Sequence, residues 1–152
     1  MLHDIITNSV LVASILSWAL AQLSKTIVAF LQGKGLRLQY LFGSGGMPSS
    51  HSAFVSGLAT SVAVIDGIGS AAFAISFVVA LIVMYDAAGV RQSVSRQSRV
   101  LNHIVRELRL GRHVTDLEAD LRELVGHTPF QVFAGSALGI VVALLWVTIA
   151  GP

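Results

Sequence analysis

The sequence predicts an all-α polytopic membrane protein, with about four transmembrane helices and one amphipathic segment at the cytoplasmic face. Hydrophobic residues make up 54% of the 152 residues and charged residues 12%, whereas soluble domains carry about 25% charged residues. The hydrophobic residues also form runs long enough for helices that cross a bilayer. Cysteine is absent, which excludes disulfide bonds and thiolate chemistry. We expect residues 1–152 to form a single membrane domain.

The first predicted span covers about residues 9–31, which are almost continuously apolar. The alternative is a cleaved signal peptide, because Ala19-Leu20-Ala21 resembles a cleavage site. Signal peptides begin with basic residues, but none precedes this run, which also continues past Ala21. Lys25 lies inside the span, where a charged side chain is costly unless it reaches the surface or is paired. The sequence allows two interpretations of Lys25: snorkelling to the membrane surface, or a cation that faces an internal polar site.

The second and third predicted spans form a hairpin. Residues 32–46 are a glycine-rich, basic loop, and the second span follows at about 49–65, which is short for a membrane crossing. Asp66-Gly67 is a turn signal between the two spans. The third span covers about 70–90 and ends in the polar sequence Tyr85-Asp86-Ala87-Ala88-Gly89-Val90-Arg91.

The last part of the chain combines an interfacial segment with the fourth span. Residues 92–126 are charged and contain two amphipathic helical patterns, which favours a position along the membrane surface. The fourth span covers about 129–149. Thr128 and Gln131 form a capping-box pattern at its start, with Pro129 at the first helical position.

Gly135 and Gly139 form a G-x-x-x-G pattern on the fourth span. Such glycines allow two helix backbones to approach closely in a membrane. We expect this face to pack against a helix, either within the chain or in a homo-oligomer formed through Gly135 and Gly139.

The distribution of basic residues predicts the orientation of the protein in the cell membrane. With four spans, the polar loop before the second span lies on one side of the membrane. The end of the first span, the end of the third and the start of the fourth lie on the same side. All ten Lys and Arg residues lie between Lys25 and Arg122, on that side or just inside it. Because basic residues favour the cytoplasmic side, we expect a multi-pass protein with a cytoplasmic site and both termini outside.

Two histidines lie at the starts of predicted helices. His51 follows a loop of glycines, serines and a proline, and His127 immediately precedes the fourth span. The N–H groups and the dipole at a helix start attract anions and keep an imidazole neutral. One histidine can then attack a phosphoryl group while the other protonates the leaving oxygen. The candidate phosphate-binding residues are nearby cations, loop amides and capping serines: Lys25, Arg91, Gly45, Gly46, Ser49 and Ser50.

The same residues limit which cofactors and partners we expect. The histidines are far apart in sequence, and no group of carboxylates matches a two-metal site, so we predict no metal and no cofactor. The expected partners are membrane lipid and a phosphorylated lipid substrate, and we predict no nucleic-acid partner.

Three motifs resemble those of a known enzyme superfamily. Pro48-Ser49-Ser50-His51 resembles the P-S-G-H motif of the type 2 phosphatidic acid phosphatases, a superfamily that includes the vanadium haloperoxidases. The sequence from His127 to Gly135 resembles its H-x-x-x-D-V-x-A-G motif, and the wider pattern, with Tyr85 to Arg91, is similar to its divergent bacterial and plastid branch. The resemblance implies that His127 accepts the phosphoryl group, that His51 is the general acid, and that Lys25 stands for the lysine of the first motif.

The chain differs from the superfamily pattern at three places. No Arg-Pro pair follows Lys25, Leu121 stands where the pattern has an arginine, and Gln131 stands where it has an acidic residue that orients the nucleophilic imidazole. We expect Arg91 to replace the arginine. For the orienting role there are two candidates, Gln131 itself and Asp86.

The predicted function is a metal-independent phosphohydrolase that removes phosphate from a lipid through a phosphohistidine intermediate. Phosphatidylglycerophosphate, phosphatidate and polyprenyl diphosphate all fit as substrates. Two alternatives belong to other functional classes: a catalytically silent membrane protein that binds phospholipid, and a small transporter or channel.

Overall fold

The computed structural model describes residues 6–31, 46–90 and 128–151, together with residues 3, 33, 93–94, 97–98, 100–101 and 104. Its four long elements are α-helices: α1 (Ser9–Leu31), α2 (Ser50–Ile65), α3 (Ala71–Tyr85) and α4 (Pro129–Ala150). A π-helical turn, Asp86–Val90, continues α3. The described part of the chain contains no strand, and the predicted all-α class is confirmed.

Serine and threonine side chains cap three of the four long helices in the described part of the chain; the caps of α2 and α4 were predicted from the sequence. Ser49 caps α2 by accepting a hydrogen bond from the N–H of Ser52, and Ser70 caps α3 by accepting one from Phe73. At α4, Thr128 and Gln131 form the predicted reciprocal capping box. These caps satisfy N–H groups that have no acceptor inside the helix, and they place the helix starts close to their predicted positions.

Three helical segments are long and apolar enough to cross a membrane: Ser9–Leu31, Ala71–Val90 and Pro129–Ala150. The remaining helix, α2, has 16 residues, so it is about 24 Å long and shorter than the hydrocarbon core of about 30 Å. It occupies the middle of the described bundle, in contact with α1, α3 and α4. The described residues therefore contain three helical segments long enough to span a membrane and one shorter apolar helix, where the sequence predicts about four transmembrane helices.

Polar contacts fix the directions of the helices. Ser9 Oγ donates to the carbonyl of Gly151 at 3.0 Å, and Ser17 Oγ reaches that of Gly139 at 3.4 Å, so α1 and α4 are antiparallel. Ser17 also contacts Gly57 of α2, which runs antiparallel to α1. The end of α1, the start of α2, the end of α3 and the start of α4 consequently share one face of the bundle, as the sequence predicts.

The two glycines of the G-x-x-x-G pattern pack within the chain. A Cβ atom at Gly135 would collide with the carbonyl oxygen of Ser49, and one at Gly139 would collide with that of Ala53. Both glycines are buried against α2. The predicted close helix packing is confirmed, with α2 of the same chain as the neighbour, and the homo-oligomer through Gly135 and Gly139 stays a prediction.

The N-terminus of α2 lies deeper in the bundle than the end of α1 and the start of α4, which are on the same face. Lys25, which contacts Ser50, lies six residues before the end of α1, and Gly135, which contacts Ser49, lies six residues after the start of α4. At 1.5 Å per residue, both offsets correspond to about 9 Å. We call the place where Lys25 and Gly46 meet Ser50 at the start of α2 the recess; His51 follows Ser50 in the chain.

Candidate functional site

Lys25 is the charged side chain that reaches the recess from α1. The residue is only 5% exposed, and its Nζ donates a hydrogen bond to Ser50 Oγ at 3.0 Å. Gly46, with φ of +85°, lies beside the aliphatic part of Lys25, because a Cβ there would be 3.9 Å from Lys25 Cγ. Of the two interpretations of Lys25, the structure supports the internal polar site, because the ammonium points into the protein.

The charge of Lys25 has no acidic partner among the described residues, where Ser50 Oγ is its hydrogen-bond acceptor. The ammonium also lies at the N-terminus of α2, which carries a partial positive charge from the helix dipole. Two positive elements thus meet in a buried place, and an isolated buried cation is costly. An anion in the recess would relieve this cost, and a helix N-terminus with a lysine is a general arrangement for binding phosphate.

The two serines that begin α2 have different positions. Ser49 is completely buried; its Oγ accepts hydrogen bonds from the N–H and the hydroxyl of Ser52, and its own N–H donates to the carbonyl of Gln131 at 3.0 Å. The Ser49 N–H is therefore unavailable to a ligand, and this residue joins α2 to α4. Ser50 is the serine whose side chain contacts Lys25.

His51 is the second residue of α2, and its side chain is exposed. It lies in the first helical turn, next to Ser50, as predicted from the loop and proline that precede it. This position combines access from outside the bundle with proximity to the helix start, which suits a group that exchanges protons with a bound ligand.

Gln131 occupies its predicted place in the capping box. Its side-chain Oε1 accepts a hydrogen bond from the N–H of Thr128 at 2.9 Å, and its own N–H donates to Thr128 Oγ1 at 3.4 Å. The capping role of Gln131 is confirmed. The role of orienting His127 stays a prediction, since His127 lies outside the described residues.

Asp86 begins the π-helical turn at the end of α3, on the same face of the bundle as the recess. Its backbone N–H donates to the carbonyls of Ile82 and Val83, and its side chain is half-buried. Within the turn, Ala87 is buried. This turn was not predicted from the sequence. Its small residues, Ala87-Ala88-Gly89, are the signal that could have indicated it, and π turns are frequent at functional sites.

Several predicted site residues lie outside the described part of the chain. They are His127, Arg91 and Gly45, and with them Leu121 and most of the interfacial segment 92–126. Thr128, next to His127, begins α4 on the recess face. The structure thus places Lys25, Gly46 and Ser50 together, with His51 next to Ser50 in the chain and Ser49 as the cap of α2.

One buried polar residue near this site was not predicted to belong to it. Gln22 is 7% exposed, and its Oε1 has no hydrogen-bond donor among the described residues. Gln22 precedes Lys25 by three residues, the spacing that places two side chains on one face of a helix. That spacing is the signal by which the sequence could have identified it.

The described residues contain no group of three or more His, Cys, Asp or Glu that could hold a metal ion. The absence of a metal requirement stays a prediction, since His127 and most of the interfacial segment lie outside these residues.

Comparisons with known proteins agree with the motifs. The model of the Divergent PAP2 family matches residues 6–142. The chain is also 36% identical over 151 residues to the uncharacterized membrane protein YuiD of Bacillus subtilis strain 168, an alignment that covers 93% of this chain and 96% of the relative. No solved structure gives a significant match.

Proposed function

The chain belongs to the Divergent PAP2 family, and from this membership and the geometry of the recess we propose that it is a phosphohydrolase acting on a lipid phosphate. The observation that carries the proposal is the buried Lys25 ammonium at the N-terminus of α2, without an acidic partner among the described residues. Such a positive, recessed place favours an anionic group. The three membrane-spanning segments around it favour a substrate that resides in the bilayer.

In the proposed reaction, the Lys25 ammonium and the N-terminus of α2 hold the non-bridging oxygens of the phosphate. His127 attacks phosphorus and forms a phosphorus–nitrogen bond, while the bond to the leaving oxygen breaks and His51 protonates that oxygen. His51 then removes a proton from water, which attacks the phosphohistidine and releases inorganic phosphate. Developing negative charge on the phosphoryl oxygens meets a cation that is already in place, so little reorganisation is needed.

The chemistry of the site fits a terminal phosphate on a lipid, and phosphatidylglycerophosphate, phosphatidate and polyprenyl diphosphate share this feature. The proposal places the recess at the cytoplasmic face of the cell membrane, with the arginines of the charged interfacial segment 92–126 near anionic headgroups. A cysteine introduced at Gly67, at the opposite end of the bundle, should then react with an impermeant maleimide only from outside the cell. Reaction only from inside would invert the orientation.

The experiment that tests the function is phosphate release by the purified protein from a panel of these three lipids in detergent, with EDTA present. We expect release from at least one lipid, and loss of that release in His127→Ala. His103→Ala is the matched control, since His103 belongs to the interfacial segment and has no role in the proposed reaction. Equal activity of wild type and His127→Ala would contradict the mechanism.

A second candidate function is phospholipid binding without turnover. A departure from the superfamily motif favours it, because Gln131, which brings no charge, stands where the phosphatases that the chain resembles have an acidic residue. In that case the purified protein would bind a lipid phosphate and release no phosphate from any lipid of the panel. A measured release of phosphate that depends on His127 would exclude this candidate.

A further inference from the structure

Gln22 and Lys25 have complementary hydrogen-bonding groups that are not paired with other described residues. Gln22 Oε1 is buried and has no donor among the described residues. The Lys25 ammonium has three N–H groups, and Ser50 Oγ accepts from one of them. An acceptor without a donor and a donor without an acceptor, both buried, are each unfavourable. The two groups can satisfy each other.

Their positions on α1 make this contact possible. Residues three apart on a helix are neighbours, with Cβ atoms about 5–6 Å apart, and both residues are buried on the face that packs against the rest of the bundle. Lysine side chains in helices lean toward the N-terminus, which for Lys25 is the direction of Gln22. A rotation of side-chain torsions between staggered positions is therefore enough to bring Nζ to Oε1.

A glutamine at this position has an electrostatic consequence. A glutamate would accept the same hydrogen bond but would also neutralise the ammonium. Glutamine accepts through a neutral carbonyl, so the positive charge of the recess is kept for a ligand. The chain thus has, one turn from its buried lysine, an acceptor without charge.

We propose that Gln22 is a positioning residue, which accepts a hydrogen bond from the Lys25 ammonium and leaves its charge uncompensated for an anion bound in the recess. The inference rests on the proposed function only in taking a phosphate group as that anion. It concerns binding and does not depend on turnover. Gln22 acts through Lys25 and need not touch the ligand.

The test places a negative charge beside Lys25. In Gln22→Glu, the carboxylate pairs with Lys25, so the purified protein should keep or raise its Tm while its affinity for inorganic phosphate falls at least about tenfold. Gln97→Glu is the matched control, because Gln97 is exposed in the interfacial segment. It makes the same change of charge and should alter phosphate affinity by less than about twofold. Titration calorimetry with inorganic phosphate and thermal unfolding in detergent give the two readouts.

A double-mutant cycle shows whether the effect passes through Lys25. Lys25→Met removes the cation and should abolish phosphate binding. When Gln22→Glu is added to Lys25→Met, the new carboxylate is buried without a partner, so the Tm should fall by several degrees. We therefore expect Gln22→Glu to keep or raise the Tm of the wild-type protein and to lower the Tm of Lys25→Met. Gln22→Met should weaken phosphate binding in the wild-type background without lowering the Tm, since it removes a buried acceptor.

Two results would overturn the inference. One is a similar fall in Tm when Gln22→Glu is made with and without Lys25, which would mean that the two side chains do not interact. The other is unchanged phosphate affinity in Gln22→Glu. Failure of the proposed function is separate, because a protein that binds phosphate with this coupling but releases none from lipids would contradict only the phosphohydrolase proposal.

Discussion

The two helices of the central hairpin, α2 and α3, have similar lengths and opposite surroundings. In α2, nine of 16 residues are buried, and four of the nine are serines. In α3, two of 15 residues are buried, and large apolar side chains such as Ile75, Val78 and Ile82 are exposed. In a soluble protein the more apolar helix would form the core. Here the opposite holds, because lipid accommodates apolar side chains and small polar residues allow close helix packing.

This difference also locates the chemistry. Polar groups within a membrane are placed inside the bundle, and two serines of α2, Ser50 and Ser56, contact polar side chains of α1 and α4. Ser56 Oγ and Ser136 Oγ, for example, lie 2.8 Å apart between α2 and α4. The start of α2 reaches Lys25 through Ser50 in the same way. The helix with the buried polar interface is thus the one that carries the recess.

The largest expected effect comes from filling the contact between α2 and α4. Gly139→Val places a side chain against the backbone of Ala53, where only helix separation makes room. We expect a loss of about 3 kcal/mol or more, or failure to fold, measured by thermal unfolding in detergent. Gly69→Ala is the control, since no atom lies within 4 Å of a Cβ at Gly69. A Gly139→Val protein as stable as this control would contradict the packing.

The second-largest expected effect comes from Asp86, which follows α3 on the recess face. Asp86 is our candidate to orient the nucleophilic histidine, because it offers a carboxylate on this face, whereas Gln131 offers a neutral amide. Asp86→Asn should lower phosphate release at least about tenfold, whereas Gln131→Glu, which keeps the capping box, should change it by less than about twofold. A rate that rises in Gln131→Glu with an upward shift of its pH optimum would assign the orienting role to Gln131 instead.

The smallest expected effect compares α2 and α3 through the same valine-to-alanine substitution in each helix. Val55 in α2 is 6% exposed and belongs to the apolar cluster with Ala59 and Ala80, whereas Val78 in α3 is 52% exposed. Val55→Ala should destabilise the protein by about 1–2 kcal/mol through a cavity, and Val78→Ala by less than about 0.5 kcal/mol. Equal losses would mean that α3 is covered by another part of the protein and does not face lipid.

The sequence predicts which segments are helices better than it predicts which helices pack against each other. Apolar runs identify the spans, and the serine and threonine caps locate the starts of α2, α3 and α4, because both signals are local. The contacts of Lys25 with Ser50 and of Gly139 with Ala53 depend on the register between helices, which local periodicity does not determine. For the same reason the sequence favoured no occupant for the Gly135 face, and the structure assigns it to α2.

The candidate site was predictable to the extent that its residues adjoin one helix start. Gly46, Ser50 and His51 lie within one loop and the turn that follows, so their proximity follows from the chain itself. Gln22 was missed because a polar residue in a span has no visible orientation until the packing is known. The π turn at Asp86 was missed because hydrophobic periodicity does not distinguish a π turn from the last turn of an α-helix.

The central claim, that a histidine carries the phosphoryl group while the recess holds it, has a direct test. Wild-type protein is mixed with a lipid whose terminal phosphate is radiolabelled, in the presence of EDTA, and the reaction is stopped rapidly with alkali. We predict protein-bound label that is stable in alkali and lost in acid, as for a phosphohistidine, present in wild type and absent from His127→Ala. Release of labelled phosphate at the wild-type rate by His127→Ala, with no labelled protein, would contradict the account.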